Sequence, residues 1–428
     1  MRNAEAPGFA RLSRGIHYGW IVVAITFSVG LIGAGVRASA TVFITPLESE
    51  FGWNRADLSM VIAINLLLFG LVAPLAGLLV ERFGPRRLML ASISLYSLGL
   101  AGVVFMSSLW QLGLLWGIAV GLGTGATASV LQATIATRWF VARRGLVLGL
   151  LGTATSTGQL LFLPILMGLV VVLGWRAGTL LLLGLAVALI APILIWMRNS
   201  PTDLGLKPYG ADEGGNKPEP DSPPVPLRAA LHVPEFWLLC GSFFICGATS
   251  NGLVGTHLLP HSIEHGIAPV LAATTVGIMG AMNFVGTLGS GWVTDKVRDP
   301  RRLLAGFYFF RGTSLFLLPF VGDFSGLLIF AIVFGLDWFA TVPPTVMLTA
   351  QRFGRRSVGV LYGWIFACHQ LGAASASLGA GLIRVWFEDY EIAFLAGGAL
   401  AIIAALLVLR MRADQPEQRP MVALPAAA

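Results

Sequence analysis

Polar residues in this chain do not alternate with apolar ones; they retreat into short intervals between long apolar runs. Twelve such runs recur from end to end, at 18–46, 54–80, 87–107, 110–136, 144–173, 176–198, 234–262, 270–294, 301–321, 325–350, 356–385 and 390–411. About 20 apolar residues wound as a helix cross a ~30 Å hydrocarbon core with every backbone N–H and C=O satisfied inside the segment. The pattern therefore predicts an all-α membrane protein of 12 transmembrane helices. The first run is longer than the roughly 7–15 residues of a signal-peptide core. It meets Phe43-Ile44-Thr45-Pro46 where a small-residue cleavage site would stand, and is read as a retained helix.

Composition agrees, with 56% hydrophobic and 11% charged residues, where soluble domains carry about 25% charged. The net charge of +7 would suit a nucleic-acid partner if it were gathered on a soluble domain, and it is not. All but five of the 28 Lys and Arg fall on the side shared by the two termini; Arg55, Arg176 and Arg384 lie in opposite-side loops, and Arg37 and Arg311 lie inside runs. By the positive-inside rule both termini are cytoplasmic. Cys240, Cys246 and Cys368 all sit within apolar runs and read as small packing residues. The Gly-rich stretches lack the strand and the Lys-Ser/Thr of a phosphate loop, and no Ser/His/Asp hydrolytic set stands out. An enzyme, a cofactor or a nucleotide site is not expected.

One long polar segment, rich in Pro, Gly and acidic residues, divides the helices six and six. The expected plan is a cytoplasmic N-terminal segment (1–17), a six-helix bundle (18–198), a cytoplasmic linker (199–230), a second six-helix bundle (231–411) and a disordered cytoplasmic tail (412–428). The halves repeat. Gly77, Glu81 and Arg82 precede Gly291, Asp295 and Lys296 by 214 residues each, half the chain, and the same offset relates Arg138 to Arg352, Gly145 to Gly359, Gly149 to Gly363 and Gly158 to Gly372. Such a period is the mark of parallel repeats about an axis along the membrane normal.

The segment Gly77-Leu-Leu-Val-Glu81-Arg82-Phe-Gly84-Pro-Arg86-Arg87, with its looser copy at Gly291–Arg302, resembles the loop motif of the major facilitator superfamily. Glu81 stands where the family usually has Asp, and Arg298 replaces the second Gly of the copy. In that family these loops are held to latch the cytoplasmic gate, which would make Gly77, Glu81, Arg82, Gly84, Arg86, Arg87, Gly291, Asp295 and Lys296 gating residues; a plain positive-inside loop is the simpler reading. Within the superfamily the chain resembles the monocarboxylate transporters and their bacterial relatives, the oxalate/formate exchangers among them. Tyr18-Gly19-Trp20 is similar to part of a first signature, and Arg138-Trp139-Phe140 through Arg143, Arg144, Gly149 and Gly158 to a second, with Ala154 at a Gly position. An Asp and Arg pair of helix 8 in animal members is replaced here by Asn283 and Thr287. The resemblance implies a monomeric secondary transporter in a bacterial inner membrane, with helices 1, 4, 7 and 10 lining a central cavity.

A charge at bilayer depth costs about 2.5–3.5 kcal/mol or more, so each one calls for a partner or a task. There are three: Arg37, Arg311 and Asp337. Arg37, in the small-residue run Gly33–Thr41, offers paired donors for a carboxylate; snorkelling to the outer interface is the alternative. Arg311 and Asp337 are expected either to couple the transport cycle to protonation of Asp337, or to an anion that displaces Arg311 from it, or to form a permanent buried ion pair. Gln132, Asn283, His257 and His369 are further substrate-binding candidates. His257 and His261 share a helical face but fall short of a zinc site, and the Gly117, Gly121 and Gly125 spacing reads as close helix packing. Pro343-Pro344 should bend helix 10. The function expected is alternating-access transport of a small organic anion, monocarboxylate-like, with protons as a candidate coupling ion. A carrier of another amphiphile, or a sensor with the same fold, is the alternative.

Overall fold

The structure, a computed structural model, describes residues 17–211, 225–354 and 357–412; the expected terminal segments and the centre of the expected linker lie outside the described residues. Nearly all of it is helix. In chain order we label α1 (Gly19–Phe51), α2 and α3 (55–83 and 85–104, the two arms of Arg55–Val104), α4 (Leu109–Trp139), α5 (Arg144–Leu173) and α6 (Trp175–Trp196). The series continues with α7 (Pro234–Glu264), α8 (Pro269–Thr294), α9 (Pro300–Phe320), α10 (Phe324–Phe353), α11 (Val358–Phe387) and α12 (Glu391–Leu409).

Among the described residues, 11 of these are long and apolar enough to cross a membrane. The exception is α11, which has 30 residues but carries His369, Gln370, Ser375 and Ser377 along its middle. The expected run at 356–385 is a helix of matching bounds but more polar than the other 11: a helix that faces protein on several sides does not need a lipid-like surface all round.

The helix ends follow local chemistry. Asn54 caps α2 by accepting from the Asp57 N–H at 2.9 Å, Asp323 caps α10 through Gly326, and Asp299 caps α9 through Arg301. Between α2 and α3, Gly84 adopts φ 80°, ψ 160°, a conformation open to glycine alone, and a Cβ there would press on the Asn199 side chain. Asn199 also accepts from the Arg86 N–H at 3.1 Å, and the Arg86 guanidinium donates to the Leu194 carbonyl at the end of α6. In the second half Arg301 likewise donates to the Met411 carbonyl just past α12. Each half thus ties its motif loop to the end of its own last helix.

Packing is close where glycines allow it. Cβ atoms at Gly121 and Gly125 of α4 would meet the α2 backbone at Asn65 and Phe69, so the glycine spacing serves helix contact, as expected. The two halves meet along α2–α11, α5–α8 and α1–α7. Residues 199–211, within the expected linker, pack on the first half. Tyr209 bridges Phe140 through backbone hydrogen bonds with Trp139 and Val141, and its ring lies 5.5 Å from His17 and 5.8 Å from Phe140. Trp20 lies 5.2 Å from Phe140 and Tyr18 5.8 Å from Trp139. The two segments that carried the subgroup resemblance therefore form one aromatic cluster.

Candidate functional site

α1 places Arg37 between the halves, on the partition between two cavities. The larger, of about 400 Å³, extends toward the end that carries the chain termini and is lined from α1, α2, α4, α5, α7, α8, α10 and α11. The smaller, of about 100 Å³, lies beyond Arg37 and is bordered by Thr41, Asn65, Trp116, Gln159, Thr256 and Trp338. The lining is thus broader than helices 1, 4, 7 and 10, because α2, α5, α8 and α11 also face inward where the halves part.

Among the described residues, Arg37 is the only charged one in either lining. Its guanidinium carbon stands 4.2 Å from the centre of the Phe69 ring, its Nε has no hydrogen-bond partner, and among the described residues no carboxylate pairs with it. It does not snorkel to a lipid interface. The cation–π contact offsets about 0.5–2 kcal/mol of the cost of holding a cation there, leaving an electrostatic demand that an anion would meet.

Gln132 and Asn283 line the larger cavity with Arg37, as do Asn251, Tyr362 and Gln370. Asn283 is also a structural junction. Its Oδ1 accepts from the Phe339 N–H at 3.1 Å and from Thr287 Oγ1 at 3.1 Å, and its Nδ2 donates to Ser156 Oγ of the other half at 3.0 Å. Phe339 lies in a non-helical joint: α10 runs to Asp337, turns through 338–341 and resumes at Val342. Pro343 and Pro344, expected to bend helix 10, stand instead in the first turn of its second segment, where a missing N–H is tolerated. The Ala340 carbonyl, which would have needed the N–H that Pro344 lacks, accepts instead from Ser290 Oγ at 2.5 Å.

Arg311 holds the same joint from α9. Its Nε donates to Asp337 Oδ2 at 2.7 Å, one terminal nitrogen to the carbonyls of Asp337 and Trp338 at 2.8 Å each, and the other to Cys246 Sγ at 3.0 Å. Both residues are buried and neither lines the cavities. Of the two expectations for this pair, the geometry matches a clamp on the broken helix.

His257 and His369 are not in the cavity linings. His369 is stacked on Phe366 and lies 4.7 Å from Phe243. His257 Nε2 is 2.8 Å from the Ser377 carbonyl, and Nδ1 is 3.3 Å from the Tyr390 hydroxyl. That hydroxyl belongs to a group the sequence reading did not single out, at the end away from the termini. Arg55 pairs with Glu48 of its own half at 2.6 Å and with Glu264 of the other half at 2.8 Å, and also donates to Tyr390; Glu264 is paired in turn with Arg384 at 3.0 Å. Thr41 Oγ1 donates across the halves to the Thr256 carbonyl at 2.9 Å. These contacts close that end. Their only sequence signal was opposite charge in loops expected on one face.

At the other end Glu81, Arg82 and Arg87 are exposed, Gly77 faces Val130, and Lys296 lies 3.6 Å above the Trp292 ring. Gly291 and Asp295 border an open depression between α8 and α10.

Among curated relatives, the human monocarboxylate transporter 11 is 27% identical over 94% of this chain and 85% of its own length. The MFS-type transporter YcxA of Bacillus subtilis (strain 168) is 24% identical over 91% of this chain and 92% of its own. A bacterial homologue of the human lysosomal transporter Spinster, solved inward-facing and unoccupied, superposes with a TM-score of 0.72 at 14% identity, over 92% of this chain and 97% of that one. The Major Facilitator Superfamily model matches residues 25–377. With helices that can cross a membrane, a cavity between two repeated halves and one end closed by ion pairs, the chain belongs to the major facilitator superfamily of transporters and is not an enzyme.

Proposed function

We propose that this protein is a secondary active transporter that moves a small organic anion, monocarboxylate-like, across a bacterial inner membrane by alternating access. The observation that carries the reading is Arg37: a cation with no carboxylate partner among the described residues, lining both cavities. A guanidinium presents paired N–H donors that fit a carboxylate, and a bound anion removes the cost of leaving the charge uncompensated. The names of the relatives point the same way, since several are monocarboxylate transporters. The one-sided distribution of Lys and Arg supports cytoplasmic termini, and with α11 counted the helices make 12 spans in two six-helix bundles, which we take to act as a monomer. In that orientation the larger cavity faces the cytoplasm and the Arg55–Glu264 contact closes the outer face. The glycine-rich motif loops, docked through Arg86 and Arg301, would hold the cytoplasmic gate in the opposite state. Protons are the proposed coupling ion.

The test is uptake of radiolabelled C1 to C6 mono- and dicarboxylates into proteoliposomes, with and without a pH gradient, by the native protein and Arg37→Gln. Saturable monocarboxylate flux that the variant loses is expected. Flux of a neutral or cationic compound with no acid transported would refute the anion assignment.

A further inference from the structure

From the walls of the larger cavity we infer that the substrate is a monocarboxylate with a bulky, ring-sized apolar body and a hydroxyl or amino donor, and that Gly149 and Gly152 set the size limit. The inference rests on the anion reading above and deepens it. A single charged residue in the lining, among the described residues, matches one carboxylate; a dicarboxylate would leave its second charge without a counter-ion. The chamber on the terminal side of Arg37 measures about 400 Å³, within the ~300–1,000 Å³ of sites that enclose drug-sized ligands. An acid of one to three carbons held at Arg37 would leave most of it to water, against apolar surfaces that gain nothing from it.

Those surfaces come from both halves. The second half contributes the side chains of Phe284, Leu288, Phe339 and Phe366. The first half contributes Phe69 and Leu148 and, beside them, bare backbone: a Cβ added at Gly33 of α1, or at Gly149 or Gly152 of α5, would meet nothing within 4 Å. Glycines buried against a neighbouring helix behave otherwise; at Gly158, on the same α5, a Cβ would fall 2.6 Å from Ala34 and could not be accommodated without movement. The open positions at Gly149 and Gly152 therefore serve space, not helix contact. A separate observation is Gln370, which lines the chamber at 2% exposure with no hydrogen-bond partner for its Oε1. A buried amide oxygen left so is a place for a substrate O–H or N–H to donate.

The test compares acids that share a head group and differ in the ring. Binding of radiolabelled 3-phenyllactate to the purified full-length protein in nanodiscs would be competed with lactate, 3-phenyllactate and the neutral 3-phenyllactamide. We expect 3-phenyllactate to compete at least tenfold better than lactate, and the ratio of the two affinities to fall at least tenfold in Gly152→Leu and by a smaller factor in Gly152→Ala. Lactate competing as well as 3-phenyllactate, or a ratio unmoved by Gly152→Leu in protein whose melting is intact, overturns the size inference and leaves the anion reading standing. The amide competing as well as the acid overturns the anion reading and this one with it. Absence of 3-phenyllactate binding overturns the size inference.

Discussion

Removing the Asp337 carboxylate should cost far more than a typical membrane-helix hydrogen bond. In Asp337→Ala, Arg311 stays fully buried, keeping the carbonyls of Asp337 and Trp338 and the Cys246 thiol as partners but no negative charge. Breaking one side of a buried pair costs about 3–5 kcal/mol. Replacing both, as Arg311→Met with Asp337→Leu, removes the stranded charge. What remains is mainly the Trp338 carbonyl, since the Asp337 carbonyl retains the Ala340 N–H at 3.2 Å. One orphaned buried carbonyl costs about 1–3 kcal/mol, so the double variant should be more stable than Asp337→Ala. The measurement is reversible unfolding in mixed micelles under increasing denaturing detergent, followed by tryptophan fluorescence, for the native protein, both single variants and the double. A cost below about 1 kcal/mol for Asp337→Ala, or a double variant that simply adds the two single losses, would refute the clamp.

Other outcomes follow from the same structure. Arg37→Lys keeps the charge but loses the planar fork and its stacking on Phe69, so acid binding should fall about 10-fold, and Arg37→Gln about 100-fold, in the competition assay. Arg55→Gln removes the two ion pairs that Arg55 makes at the closed end, leaving Glu264–Arg384, and a cysteine placed at Thr256, with Cys240, Cys246 and Cys368 replaced, should label faster with an impermeant thiol reagent added from the side away from the termini; an unchanged rate would mean that Arg55 does not hold the halves together. Gly84→Ala forces a side chain into a glycine-only conformation against Asn199 and should destabilise by about 1–3 kcal/mol in the unfolding assay. Asp299, beside the Arg301 guanidinium, has its carboxyl held below the usual range. Its contribution to stability should be complete above an unfolded-state pKa of about 3.9 and lost as pH falls through the lower folded value, so the advantage of the native protein over Asp299→Asn should be full above about pH 4 and shrink progressively below it.

Much of the architecture was legible because the bilayer leaves few alternatives. A run of apolar residues the thickness of the hydrocarbon core must be helical, and a repeat offset of half the chain makes the halves copies. That logic located the membrane helices, the motif loops and the three charges at depth. It also singled out Arg37, since an intramembrane cation is expensive wherever it points. It could not tell that the polar middle of α11 is sheltered by protein, and it left the Arg311–Asp337 pair between a coupling and a structural reading, because a sequence does not show whether such a pair faces a cavity.

What only the tertiary structure decided is which polar groups meet. Asn283 reaches the joint of α10 and Ser156 of the other half, whereas His257 and His369, equally plausible by position, turn to Ser377, Tyr390, Phe243 and Phe366. Glu48, Arg55, Glu264 and Arg384 come from loops far apart in the chain and join because the halves close at one end. Hydropathy records how deep a residue can sit, so the sequence by itself determined depth, helix number to within α11, and the repeat. It carries no record of the rotation of each helix about its axis or of the separation of the halves, and those two quantities left Arg37 at the partition between two cavities with space beside it.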